Sequence, residues 1–220
     1  MTAEVTPEYI KKTMRYNDIE VLQLNIKYPQ IKLNAKQIHE KATKRINGFY
    51  ENTAKYFMKF SERVLYKNAV SEYLTKNKYE QVEAFKPFGT VLNFEVTYNR
   101  NNFLCIYFDA NIYTGKGRGN ISRKSHIWDL GEGVAVPPSG FFKFSGDNKK
   151  KICLRICGII SEQSERGEAY YINSDFKTVY KYFNPENMFI TDRGYNFFFP
   201  QSSLCPAEVG IVSFIYIPRI

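Results

Sequence analysis

In this chain of 220 residues the segment Gly115-Lys116-Gly117-Arg118-Gly119 is the one whose residue types and spacing most plainly suit chemistry. Three glycines let successive backbone N–H groups converge, and Lys116 and Arg118 add positive charge, which together would cradle a phosphate or carboxylate. The segment lacks the Gly-Lys-Ser/Thr ending and the strand-loop-helix setting of a nucleotide-binding loop, so nucleotide binding is not expected. The competing reading is a tight connection between two strands. Tyr113 precedes it, and Arg123 and the sole tryptophan, Trp128, follow. Arginine and aromatic side chains commonly anchor interfaces, and loops carried on a rigid sheet commonly hold function. The expected contact surface is therefore Tyr113, Gly115, Lys116, Gly117, Arg118, Gly119, Arg123 and Trp128.

Catalytic constellations are weaker. Asp109 and Asp129 could meet across a sheet as the carboxylate pair that acts on glycosidic bonds, but solvated or turn-capping carboxylates are commoner, and His126 reads as a strand-face residue. No residue is assigned as catalytic. The histidines are His39 and His126 alone, and the cysteines are Cys105, Cys153, Cys157 and Cys205. Cys153 and Cys157 stand four apart on a predicted helix, where Cβ atoms lie about 5–6 Å apart, wider than the roughly 3.5–4.5 Å of a disulfide. With no third or fourth ligand beside them, no metal and no cofactor are expected, and all four thiols should be free.

A net charge of +9 invites a nucleic-acid reading, but the charge is dispersed. Residues 1–90 carry 16 Lys+Arg against 10 Asp+Glu, and residues 91–220 carry 15 against 12, so no concentrated basic stripe exists and no nucleic-acid partner is expected. The start, MTAEVTPEYIKK, has no apolar h-region, and no apolar run approaches the roughly 18 residues of a membrane span. As it stands the sequence predicts a soluble, cytoplasmic protein; an ectodomain cut from its anchor would look the same and would be extracellular.

The elements that must position these residues follow from periodicity. Leu92, Phe94, Val96 and Tyr98 alternate with polar residues, and the more apolar run 103–108 predicts a central strand, with Asn99–Asn102 as the turn. Residues 1–15 read as a loose arm, and 21–28 as a first strand that Pro29 ends or forces to an edge. Asn34 should cap a helix whose stripe is Ile38, Ala42, Ile46, Phe49, Thr53, Phe57, Phe60 and Val64, reaching about Leu74. Its length, about 60 Å at roughly 1.5 Å per residue, means that something must bend, break or overhang, with Gly48 and Ser61-Glu62 the weak points. Residues 75–89 read as a connection. Further strands are expected over 103–114, 121–130, 188–199 (a hairpin about Asp192-Arg193-Gly194) and 212–217. Asp147 should cap a second helix with Ile152, Ile156, Ile159 and Ile160 inward, and Ser174 a third with Phe176, Val179, Tyr180 and Phe183 inward. The 35 Tyr and Phe residues (17 + 18) suit such a β-rich core. The predicted class is α+β: mostly antiparallel sheet packed against a long N-terminal helical region and two shorter helices. It forms one unit over 1–220 that admits subdomains 16–136 and 147–220.

Three stretches carry a family likeness: VLQLNIKYPQI (Val21 to Ile31), YFDANIYTGKGRGN leading into SHIWDL, and YKYFNPENMFITDRGYNFFFPQSSLCPAEVGIVSFIYIP (Tyr180 to Pro218). Through them the chain resembles the RsiV-like family, the ectodomain of the lysozyme-sensing anti-sigma factor and its bacterial relatives, over nearly its whole length. The resemblance implies an α+β fold and activity of a binding kind: a non-catalytic recognition or sensing module, with lysozyme as partner in the anti-sigma factor. In some cell-wall deacetylases such a domain is appended to a separate catalytic domain, which makes a cryptic hydrolase acting on cell-wall glycan the alternative. Relatives commonly read Tyr-Thr-Gly-Gly-Ala-His-Gly where this chain has Tyr113 to Gly119. Arg118 stands in the histidine's place, so no role that needs an imidazole there carries over.

Overall fold

The computed structural model describes residues 1–33, 37–79, 85–117, 119–142, 144–172 and 174–218. The cap expected at Asn34, the side chain of Ile38, Arg118 and part of the 75–89 connection lie outside the described residues. The fold is α+β, with a six-stranded mixed sheet, a three-stranded antiparallel sheet and helices. The chain divides into two compact units, one of residues 3–94 and 108–121, the other of residues 1–2, 95–107 and 122–220. Strands β3 (Phe88–Arg100), β4 (Phe103–Tyr113) and β5 (Asn120–Asp129) each contribute residues to both.

In the first unit the expected loose arm is a 13-residue strand, β1 (Glu4–Tyr16), paired antiparallel along its length with β2 (Ile19–Lys32). The signal is Asn17-Asp18, whose left-handed φ values of 46° and 62° make the two-residue turn that matches strand twist. β1 hides its strand character because it is an edge, exposed along most of its length, so no apolar alternation marks it. Pro29 does not end β2 either. It faces Pro7 across the pair, and its missing N–H is no loss, because β3 pairs with β2 only over Leu22–Ile26. That pairing is parallel, which corrects the expectation of largely antiparallel sheet. A parallel pair needs a long crossover, and the helical run from Gln37 to Lys78 supplies it; this helix follows two strands rather than heading the chain.

The α-helical run of the crossover is interrupted at one of its weak points. α1 (Gln37–Phe60) passes into a π-helical turn at Ser61–Leu65 and continues as α2 (Tyr66–Lys78), while Gly48 stays within α1. Its buried face is Ala42, Ile46, Tyr50 and Ala54, then Ser61, Leu65 and Ala69. Phe49 and Val64, expected inside, are 38% and 42% exposed. A row spaced every four residues drifts around an axis of 3.6 residues per turn, and the wider π-turn takes up that drift. Buried Ser61 donates to the Phe57 carbonyl at 2.8 Å and to Thr90 of β3 at 3.2 Å. Tyr50 meets the ring of Phe108, 5.2 Å between centroids.

In the second unit the β3–β4 turn uses Asn101 and Asn102 at φ 53° and 70°, and β6 (Val134–Ala135) pairs with the end of β5. The small sheet runs β7 (Met188–Thr191), β8 (Gly194–Phe199), β9 (Val212–Tyr216) in order, all antiparallel. Against it lie α3 (Gly146–Glu165) and α4 (Phe176–Tyr182), and the core is aromatic, with Phe197, Phe199, Phe214 and Phe183 buried beside Ile152, Ile156 and Ile160. The caps are Ser145 and Asp175, not Asp147 and Ser174. Each accepts from the backbone N–H three residues on, Asn148 at 3.3 Å and Thr178 at 3.0 Å, the geometry a cap requires. Tyr180, expected inward, is 38% exposed, with Lys149 4.0 Å over its ring.

Among the described residues no helix is long and apolar enough to cross a membrane.

Candidate functional site

The glycine-basic loop leaves β4 after Tyr113 and enters β5, so it links strand to strand and no helix begins at it. Gly115, Gly117 and Gly119 hold φ of 80°, 63° and 88°, conformations that side chains disfavour. A Cβ on Gly119 would collide with the Asn111 side chain and lie 2.9 Å from the Ile112 carbonyl oxygen, and one on Gly115 would sit 3.2 Å from that of Lys86. The loop's ends are thus close backbone approaches that only glycine permits, while the space around Gly117 is open. Lys116 stands out from this turn, 80% exposed, its Nζ 3.9 Å from Glu72 Oε1 on α2. An ion pair so wet contributes little, which leaves the ammonium available to an incoming anion.

Tyr113 and this loop belong to the first unit; Arg123 and Trp128 belong to the second. Arg123 is half-buried in a box of rings, its guanidinium carbon 3.8 Å from the centroid of Tyr107, 5.8 Å from Phe198 and 5.9 Å from Phe189. Tyr107 in turn donates to Glu95. Trp128 is 5% exposed, so its ring packs in the interior and offers no surface for a partner. The candidate acid and base groups are also structurally occupied. Asp129 Oδ1 accepts from Asn102 Nδ2 (2.9 Å) and from the N–H groups of Gly131 (2.7 Å) and Glu132 (3.2 Å), a turn cap. Asp109 falls in the other unit. Burial, aided by the Lys124 charge, pushes the His126 imidazole down to about 4, so it is neutral near pH 7.

The four cysteines are unbridged, and burial raises each thiol's pKa; Cys105 also accepts from the Ile190 N–H at 3.4 Å. Among the described residues no three His, Cys, Asp or Glu side chains gather as a metal site.

One feature of the second unit escapes the sequence. An open groove of about 510 Å³ is lined by residues of β9, by Ile159 and Gln163 of α3 and Thr97 of β3, and by Thr191, Arg193 and Asn196 of the β7–β8 hairpin. Its residues come from five separate elements and a turn, so no local motif marks it. Only the turn Asp192-Arg193-Gly194 is legible, and as a turn alone.

Residues 16–121, just under half of the chain, match the model of a family described as deacetylase PdaC. No curated protein matches the sequence. Among solved structures, a DUF3298 family member from Bacteroides fragilis NCTC 9343 is similar with a TM-score of 0.66 at 15% identity, over 98% of this chain and 90% of that one. A DUF3298 family protein from Pseudomonas aeruginosa PAO1 is similar with a TM-score of 0.55 at 9% identity, over 97% of this chain and 88% of that one. At such identities the fold is what is shared.

Proposed function

We propose that the chain is a non-catalytic recognition module whose loop 113–119 engages a carboxylate or phosphate on its partner. The observation that carries this is the loop itself, which glycines hold in a close backbone approach and from which Lys116 projects into solvent. The three positive-φ glycines set the backbone from which that cation is presented, and loops carried on a sheet commonly hold function. The resemblance to the RsiV-like ectodomains points to a lysozyme-like protein or a cell-wall glycan fragment as partner. The test is a pull-down with the intact chain against lysozyme, peptidoglycan fragments and a lysate of the source cell. The expected result is capture of a partner that is recovered unaltered in mass. Failure to retain any of the three would set the reading aside.

A second reading, a hydrolase acting on cell-wall glycan, is favoured by the description of the family model over 16–121 as a deacetylase. Incubation with N-acetylated glycan oligomers separates the two: loss of acetyl groups or chain cleavage, followed by mass spectrometry, supports the hydrolase, and unchanged oligomers support the binding module.

A further inference from the structure

We infer that the open edge of β9, together with the groove along it, is a docking slot for an extended peptide that adds to the small sheet as a fourth strand. The site is separate from the loop 113–119 and does not depend on the reading given for it.

Hydrogen-bond parity leaves the outer edge of β9 open. Phe198 donates its N–H to the Asn187 carbonyl at 2.9 Å, on the β7 side of β8. In a strand the N–H and C=O of one residue point to the same side and alternate along the chain, so Phe197 and Phe199 point toward β9. Their partners there are Phe214 and Val212. Ser213 and Ile215 therefore direct their N–H and C=O groups away from the sheet, where among the described residues no strand follows. The groove reaches that edge and also takes in Thr191 of β7 and Asn196 of β8. It is lined by the consecutive residues Ser213, Phe214 and Ile215, although the Phe214 side chain is only 2% exposed, so what Phe214 contributes is backbone. A row of unpaired main-chain donors and acceptors facing a slot is the template that β-augmentation uses.

The slot also selects its occupant. Ile159 and Gln163 of α3 and Thr97 of β3 line the groove with the edge, and a second copy of the chain would bring its own sheet and helix against these walls. Alternate side chains of the peptide would meet Thr97 and Asn196 on one face and Ile159 and Gln163 on the other, which suits small or uncharged polar residues. Arg193 is the cation among the groove's lining residues. Asp192 beside it is taken by Arg100, and among the described residues Arg193 has no acidic partner, so the peptide should place an acidic residue there.

The test is to pan a randomised eight-residue peptide library, displayed on phage, on the whole chain, with a Ser213→Pro variant as counter-target. Proline at 213 deletes an outward N–H without touching the ladder to β8, so the fold should survive. Enriched peptides should carry an acidic residue at one end and shift the amide resonances of Ser213 and Ile215 in the unmodified protein. N-methylation of the peptide at alternate residues should weaken binding at least tenfold, and Arg193→Glu should reverse the preference from acidic to basic. These last two arms keep the test sharp even where Ser213→Pro folds poorly. No enrichment, equal binding of the N-methylated peptide, amide shifts elsewhere, or self-association of the chain through β9 would overturn the proposal.

Discussion

Asn47 does for β2 what a neighbouring strand would do. Beyond Ile26 the strand has lost β3, yet Ile31 still points its backbone toward that side, and Asn47 of α1 meets both groups: the Ile31 N–H donates to Asn47 Oδ1 at 2.7 Å and Asn47 Nδ2 donates to the Ile31 carbonyl at 2.9 Å. Replacing Asn47 by Ala strands both groups, and replacing it by Asp keeps the acceptor but removes the donor. Urea titrations should show a loss of about 1–3 kcal/mol for Asn47→Ala and a smaller loss for Asn47→Asp. Nothing in the sequence marks this residue, since an asparagine on a helix reads as a surface position. His126 makes a prediction in pH. Its folded-state pKa of about 4 lies below the unfolded value near 6.5, so between those limits the unfolded chain binds the proton that the folded chain refuses. Stability is then full above about pH 6.5 and falls as pH drops toward 4, by roughly 2–3 kcal/mol. A His126→Gln variant should flatten that slope, and an unchanged slope would show that other groups carry it.

Among the elements, the interrupted crossover shows best what the sequence can and cannot disclose. Its length already called for a bend, a break or an overhang, and Ser61-Glu62 is where the π-turn falls. The phase of the buried face was not legible, because the turn that corrects it is stabilised by a distant residue, Thr90 of β3. Removing the Ser61 hydroxyl leaves that of Thr90 buried without this partner, and removing that of Thr90 leaves Ser61 with the Phe57 carbonyl alone, while removing both leaves an apolar contact. Ser61→Ala and Thr90→Val should thus each cost about 1–3 kcal/mol. The double variant should cost clearly less than their sum in a denaturation cycle; strict additivity would mean that the two hydroxyls do not act as a pair. The exposed edge β1 was illegible for the opposite reason, since a strand wet on most of its surface has no apolar period to read. The hairpins β3–β4 and β7–β8, each with a local turn, were legible to within about three residues, the largest miss being the start of β3 at Phe88 rather than at 91.

At the scale of the whole molecule, the α+β class follows from composition and periodicity, whereas the parallel pairing of β2 with β3 depends on which strands the crossover brings together and has no local signature. A global readout of the core is its thiols. Cys105, Cys153 and Cys205 are buried and Cys157 is half-buried. Intact-mass labelling without reductant should attach four labels to the denatured chain and, at short times, label only Cys157 in the native one. Fewer than four in denaturant would reveal a bridge, and rapid native labelling of the others would contradict the packing.

The central claim, recognition through a rigid basic loop, is tested most directly by titrating the captured partner against the intact chain and a Lys116→Ala, Arg118→Ala double variant at low and high salt. The account predicts that the variant binds at least several-fold more weakly at low salt, and that the difference shrinks as screening shortens the reach of the charges to about 8 Å near physiological ionic strength. Equal affinity and equal salt dependence, with the fold intact, would contradict it and leave the loop as a connection between strands.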